Sequence, residues 1–296
     1  VSREQFIEKN FTAERLALIA EVNKVLAQYR ALGYDLTLRQ VYYQLVTKDK
    51  IPNNIQSYKR LGNAISEGRK AGLIDWDMIV DRTRSVALPP HWDDPADIVR
   101  QAARQFRIDK WEAQPNHVEV MVEKEALAGI LEPVCRDLDI AFTANKGYSS
   151  DSAMYRAGRR MREAIRHDGK DVYVLYLGDH DPSGIDMDRD ILERLSMFAD
   201  ETIYKVERLA LLMEQIEQMD VPENPAKTTD SRSKAYIAEF GRSSWELDAV
   251  EPTELARLVN DAVERLRDPV LWDEAVERES AMRDELQQFA DDYGGD

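Results

Sequence analysis

The chain has 296 residues, 43% of them hydrophobic, and a formal net charge of −16. That length accommodates two domains, and that hydrophobic fraction is ordinary for a globular protein. No apolar run approaches a membrane span and no signal-peptide pattern opens the chain. The one cysteine, Cys135, excludes an internal disulfide, so a cytoplasmic location with no membrane partner is expected.

Residues 13–34 read as a long amphipathic helix carrying Leu16, Ile19, Val22, Leu26 and Tyr29. Thr37 is a helix-start signal for the run that follows, in which Leu38, Val41, Tyr42, Leu45 and Val46 form one apolar face. Tyr42 is expected in the packing position. Tyr43 falls outside the stripe and is expected to be exposed, with Arg39 one turn earlier on the same flank. Residues 51–54 make a turn. Residues 57–72 read as a basic helix, with Lys59, Arg60, Arg69 and Lys70 against a single acid, Glu67. Residues 75–82 then read as a strand. Helix, turn, basic helix and strand suit a winged helix, whose second helix enters a DNA groove. Residues 89–95 are the expected linker and 97–111 a connecting helix, so the expected domains are 1–110 and 111–296.

The second part alternates strand and helix. A strand over 117–122 ends at Glu123 and is followed by a helical pattern through Ala126, Leu127, Ile130, Leu131 and Val134. A short strand (140–143), a helix (152–165) and a buried strand (172–177) come next. This order predicts parallel β-α-β units and an α/β fold. The last of these strands runs into Gly178-Asp-His-Asp-Pro-Ser-Gly184, at the sheet end where ligands bind in such folds. Asp179 and Asp181 are two apart, so in extended backbone they point the same way. Their repulsion calls for a cation, and all-oxygen ligation suits Mg²⁺. Haloacid-dehalogenase-type phosphatases carry Asp-x-Asp on their first strand, which this one is not. No G-x-x-x-x-G-K-[ST] run exists for a phosphate-loop ATPase. A Glu leaving an earlier strand, then Asp-x-Asp leaving a later one, is the order of Toprim nucleases and topoisomerases. Asp186 and Asp188 either add ligands or start the next helix. Lys227 and Arg232, in a polar loop over 221–232, either touch DNA or face solvent. No Cys/His cluster suggests zinc.

Residues from about 117 to 260 resemble the Toprim domain of the topoisomerase VI A subunit and its meiotic double-strand-break relatives. Val122-Glu-Lys-Glu-Ala126 resembles the family's Glu motif, Gly178–Gly184 its Asp-x-Asp motif, and Ser244-Trp-Glu-Leu-Asp-Ala-Val250 its last strand-helix pair. Upstream, Arg39 and Tyr43 resemble the Arg and catalytic Tyr of the family's winged helix. The resemblance implies a metal site at Glu123, Asp179 and Asp181 taking Mg²⁺ or Mn²⁺, with Glu123 also catalytic. It implies attack of Tyr43 on double-stranded DNA through a 5′-phosphotyrosyl intermediate. It also implies a homodimer, in which one chain's tyrosine meets the other's metal site, and a separate ATPase subunit for strand passage.

Arg39 is expected to stabilise charge on the phenolate or the phosphate. Lys59, Arg60, Arg69 and Lys70 are the expected phosphate contacts. Charge is divided in keeping with this. Residues 1–110 hold 18 Lys/Arg and 14 Asp/Glu, a balance of +4, and the remainder carries −20. Two rivals stand beside the reading. One is a Toprim hydrolase that activates water and uses Tyr43 only structurally. The other is a non-catalytic DNA-binding component of a larger assembly.

Overall fold

The computed structural model describes residues 3–80, 89–145, 150–226 and 232–293. The first three helices are α1 (Ala13–Ala31), α2 (Leu38–Thr47) and α3 (Ile55–Lys70). Thr37 starts α2 with a capping box: its hydroxyl accepts from the Gln40 N–H, and the Gln40 side chain accepts from the Thr37 N–H at 2.7 Å. Leu26 and Tyr29 of α1, Val41 and Leu45 of α2, and Leu61 and Ile65 of α3 bury against one another.

The strand expected over 75–82 does not form in its described part. Ile79 makes a single parallel bridge to Leu36, and Asp81 and Arg82 lie outside the described residues. Side chains take up this backbone instead. Asp75 accepts from the Asp77 N–H at 3.0 Å and pairs with Arg30. Arg69 donates to the carbonyls of Trp76 and Ile79.

Helix α4 (Pro95–Gln105) starts on Asp94, with proline in its first turn, and stops short of the expected 111. Beyond it come β1 (Asn116–Val122), α5 (Ala128–Asp137), β2 (Ala141–Ala144), α6 (Asp151–Arg166), β3 (Asp171–Leu177), α7 (Met187–Ala199) and β4 (Lys205–Ala210). The chain continues through α8 (Met213–Met219), β5 (Glu223–Pro225), α9 (Ser233–Phe240), β6 (Ser243–Trp245), α10 (Pro252–Leu266) and α11 (Pro269–Tyr293).

Strands β1–β4 form a parallel sheet in the order β2-β1-β3-β4, and β5 and β6 form a separate antiparallel pair. Alternation along β1 divides the core. Val118, Val120 and Val122 share a cluster with Ile130 and Leu131 of α5 and Val259 of α10. Met121 packs in a second cluster with Met154 and Met161 of α6 and Ile191 and Leu195 of α7. The chain is therefore α/β, with helices on both faces of a parallel sheet. The first cluster continues into α1, α2 and α3, across the boundary expected at residue 110. Lys110 ties α11 back through a 2.7 Å pair with Glu279. No helix among the described residues is long and apolar enough to cross a membrane.

Candidate active site

Strands β1 and β3 end side by side, Val122 against Leu177. The Glu123 N–H then donates to the Leu177 carbonyl at 2.9 Å, and the Asp179 N–H donates to Glu123 Oε2 at 2.8 Å. Glu123 and Asp179 are thus brought together, as the sequence predicts. The two glycines of the Gly178–Gly184 loop make this possible. A Cβ on Gly178 would fall 2.3 Å from the Tyr176 hydroxyl, and one on Gly184 2.2 Å from the Asp179 carbonyl oxygen. Asp181 is turned into its own loop. Its Oδ1 accepts from the Ser183 N–H, the Ser183 hydroxyl and the Gly184 N–H at 3.0, 2.8 and 2.7 Å.

His180, between the two acids, faces the other way. It exchanges backbone hydrogen bonds of 2.9 and 3.0 Å with Trp245, and its Nδ1 lies 2.8 Å from the Tyr236 hydroxyl. Burial and the neighbouring Arg208 push its pKa down to about 4, so the ring is neutral at pH 7. This stitch brings the segment after β6 onto the acidic site. The Leu247 N–H donates to Asp179 Oδ1 at 2.8 Å. Glu246 and Asp248, two apart on the same side, meet Lys124. The Lys124 ammonium lies 2.9 Å from Asp179, 3.0 Å from Glu246 and 3.1 Å from Asp248. Arg39 arrives from α2, pairing with Glu246 and placing its Nε 2.9 Å from Asp248 Oδ2. That second contact is a close ion pair whose N–H does not point at the oxygen.

The electrostatics follow from five carboxylates and few cations. Glu123 is pushed up to about 7 by burial and by Asp179, with a smaller push from Asp181. Burial also raises Asp179, and Lys124 offsets this incompletely because three carboxylates share it. Burial opposes the charge on Lys124, but Asp248 and Asp179 more than compensate and hold it above its ordinary range.

The donors Glu123, Asp179 and Asp181 suit a hard divalent cation by chemistry, and one buried oxygen of Asp248 has no hydrogen-bond partner among the described residues. In their present positions Asp179 is paired with Lys124, together with Glu246 and Asp248, and Asp181 is held by its own loop. Among the described residues, no three His, Cys, Asp or Glu side chains converge on one point for an ion. Asp186 and Asp188 do not join them. Asp186 pairs with Arg189 and Arg232 at 2.9 and 3.0 Å, and Asp188 with Arg208 at 2.9 Å. Lys227 lies outside the described residues.

Both tyrosines of α2 are buried, each 4% exposed, which corrects the expectation that Tyr43 is exposed. The cause is tertiary packing: the Tyr43 ring lies edge-on to that of Tyr42 at 5.2 Å within the continuous apolar cluster, and α2 packs against residues 247–249. The Asn53 amide, in the turn after α2, donates to the Glu223 carbonyl at 2.9 Å. Tyr43 now lines a cleft of about 670 Å³ with Arg39, Asn53, Asn224 and Glu246. The two hydroxyls differ. That of Tyr42 lies 3.0 Å from Asn53 Oδ1 and 3.2 Å from the Asn54 carbonyl. That of Tyr43 has no hydrogen-bond partner among the described residues. The Arg39 guanidinium lies 5.8 Å from the Tyr43 ring centre.

On α3, Lys59 and Lys70 are exposed, and Arg60 pairs with Glu14 at 2.7 Å. Arg69 is turned inward, its guanidinium 4.9 Å from the Trp76 ring and its donors on backbone carbonyls. Sequence reasoning missed Lys124, Glu246 and Asp248 as site residues. The Glu-x-Asp spacing after a short strand, the same signal read at Asp179 and Asp181, points to the last two. Comparison with protein-family models, with curated proteins and with solved structures returned no match.

Proposed function

We propose that the chain is a DNA-cleaving protein of the topoisomerase VI A type, a winged helix joined to a Toprim domain, with Tyr43 as nucleophile. One observation carries the reading. The helix that bears Tyr43 is ion-paired through Arg39 to Glu246 and Asp248, which share Lys124 with Asp179 beside Glu123. Two motifs about 140 residues apart in the sequence, each weak alone, meet in one neighbourhood.

In the reaction the Tyr43 oxygen attacks a backbone phosphorus. The bond to the 3′ oxygen breaks, leaving a 5′-phosphotyrosyl link. The phenol loses its proton as the bond forms, and the departing oxygen gains one. Arg39 offsets charge on the phosphate and phenolate, which is worth most in a site shielded from water. Burial and Asp179 push the Glu123 pKa up to about 7 in the metal-free protein, so binding a cation there would release its proton near neutral pH. Glu123 and Asp179, joined by Asp181 once it turns from its loop, would hold Mg²⁺ or Mn²⁺, which would supply positive charge at the phosphate. A homodimer would make two such cuts in double-stranded DNA, with each Tyr43 beside the acidic site of its own chain rather than the partner's as the resemblance implies, and a separate ATPase subunit would add strand passage.

The test is SDS-resistant labelling of the protein by radiolabelled duplex DNA with Mg²⁺ or Mn²⁺, with and without an ATPase partner. Label on wild type and none on Tyr43→Phe is the expected result. The burial of Tyr43 favours a second reading, a metal-dependent hydrolase that activates water. Undiminished cutting by Tyr43→Phe would select it.

A further inference from the structure

We infer that Asp248 and Glu246 are positioning residues for cleavage: they clamp Arg39 by one edge of its guanidinium and so fix it beside Tyr43. This rests on the reading above and assigns a role to two acids that lie outside the Glu123, Asp179 and Asp181 set.

The clamp is built from both halves of the chain. Asp248 is buried, and its Oδ2 lies 2.9 Å from Arg39 Nε and 3.1 Å from Lys124. Glu246 pairs with Arg39 Nη2 and lies 3.0 Å from Lys124. Lys124 holds the other end at Asp179. Two carboxylates thus sit between an arginine on the tyrosine helix and a lysine next to Glu123. Neither cation alone would fix them.

The guanidinium is not used up. Glu246 takes Nη2, Asp248 lies against Nε as an ion pair without accepting its hydrogen, and Nη1 has no protein partner among the described residues. The side chain remains 43% exposed. Arg39 also lines a second cleft of about 510 Å³, with Arg69 and Lys70. One edge is held and the other is available to a phosphate oxygen, which suits a planar fork with five donors. An arginine held at two points loses less freedom on meeting the phosphate, and small misplacement of a catalytic group is costly.

The clamp and a plain acidic patch predict opposite results. Removing a negative charge near a phosphate site would tighten DNA binding and spare the rate. Loss of positioning would lower the rate and leave affinity alone. The experiment measures single-turnover adduct formation at saturating radiolabelled duplex with Mn²⁺, and duplex affinity separately, on the full chain. Asp248→Asn should cut the rate by about ten- to a hundredfold. Its DNA affinity should stay within about threefold of wild type, which is under 1 kcal/mol. Glu246→Gln, on a more exposed side chain, should act in the same direction by less and guards against a folding defect at Asp248. Asp248→Glu should recover part of the rate. Arg39→Lys should cost much in wild type and little in Asp248→Asn, because both changes break one unit.

Wild-type rates in both Asp248→Asn and Glu246→Gln, or fully additive losses with Arg39→Lys, would overturn the clamp and leave the tyrosine mechanism standing. Absence of any adduct on wild type, with or without an ATPase partner, would overturn both.

Discussion

Two buried acids mark strand β1, Glu119 in its middle and Glu123 just past its end, and they have opposite fates. Glu119 is completely buried, accepts from Arg160 at 3.0 and 2.7 Å, and has His117 Nε2 at 3.0 Å. Burial alone would raise its pKa, but His117 and Arg160 hold it below the ordinary range. Glu123, four residues on, is pushed up to about 7 because burial and Asp179 act together. The middle of the strand is electrically settled, whereas its end holds more negative charge than its cations balance. The same contrast divides Tyr42 from Tyr43 and Arg69 from Lys59. In each pair the first group is engaged by the fold, and on the proposed function the second is the one available for chemistry or binding.

The sharpest break of this contrast is at the tyrosines. Tyr43→Phe removes a hydroxyl with no partner among the described residues, so its melting temperature should equal that of wild type while adduct formation disappears. Tyr42→Phe removes the hydroxyl set against Asn53 and Asn54, so it should lose about 1 kcal/mol of stability and keep cleavage. Parallel thermal melts and SDS-resistant labelling read both. Cleavage lost at Tyr42 and kept at Tyr43 would invert the assignment.

The middle of the strand comes next. Arg160→Met leaves the Glu119 carboxylate buried with only His117, and should cost about 3 kcal/mol in denaturant unfolding at pH 7. Glu119→Gln should cost less, because Arg160 is 46% exposed and can turn to water. The sign with pH follows from the lowered pKa of Glu119. Its stabilisation is present above the unfolded-state value near 4.5 and is lost as pH falls through the folded value.

The end of the strand should behave in the opposite sense. A raised carboxylate pKa costs nothing below 4.5. Stability falls between 4.5 and about 7, as the unfolded chain ionises first, and the loss persists above that. In metal-free protein, Glu123→Gln should therefore be more stable than wild type by about 2–3 kcal/mol at pH 8, with the gap closing toward pH 4.5. Excess Mg²⁺ should raise the wild-type melting temperature at pH 8 and leave that of the variant unmoved. A wild type whose stability rises through this window would remove Glu123 from the unsettled class.

Much of this architecture was legible. The runs over 117–122 and 172–177 gave β1 and β3, and Thr37 as an N-cap gave the start of α2. The neighbouring placement of Glu123 and Asp179 followed from two parallel strands ending together. What stayed hidden depended on contacts distant in sequence. Nothing in residues 38–47 signals that α2 will pack against residues 247–249 and leave Tyr43 buried. Nothing near Lys124 signals that its partners sit at 246 and 248. The basic character of α3 was plain, but not that Arg69 would satisfy the carbonyls of the segment that follows it.

That last difference gives the smallest and most discriminating expectation. Each phosphate contact adds about 0.9 to the slope of log affinity against log salt on duplex DNA. Lys59 is exposed, and Arg60 pairs with the surface acid Glu14, a pair worth little in solution. Charge reversal at Lys59 and Arg60 together should flatten that slope by about 2 and weaken binding across all sequences, without a change in melting temperature. Arg69→Gln should do the reverse. It removes donors from buried carbonyls, so it should lower the melting temperature, with a stability cost of about 1–3 kcal/mol, and leave the salt slope of the folded protein intact. Salt titrations of duplex binding and thermal melts, run on the same preparations, separate the two. A flattened slope in Arg69→Gln would show that its guanidinium leaves Trp76 to meet the phosphate, and would dissolve the line drawn between satisfied and available cations on α3.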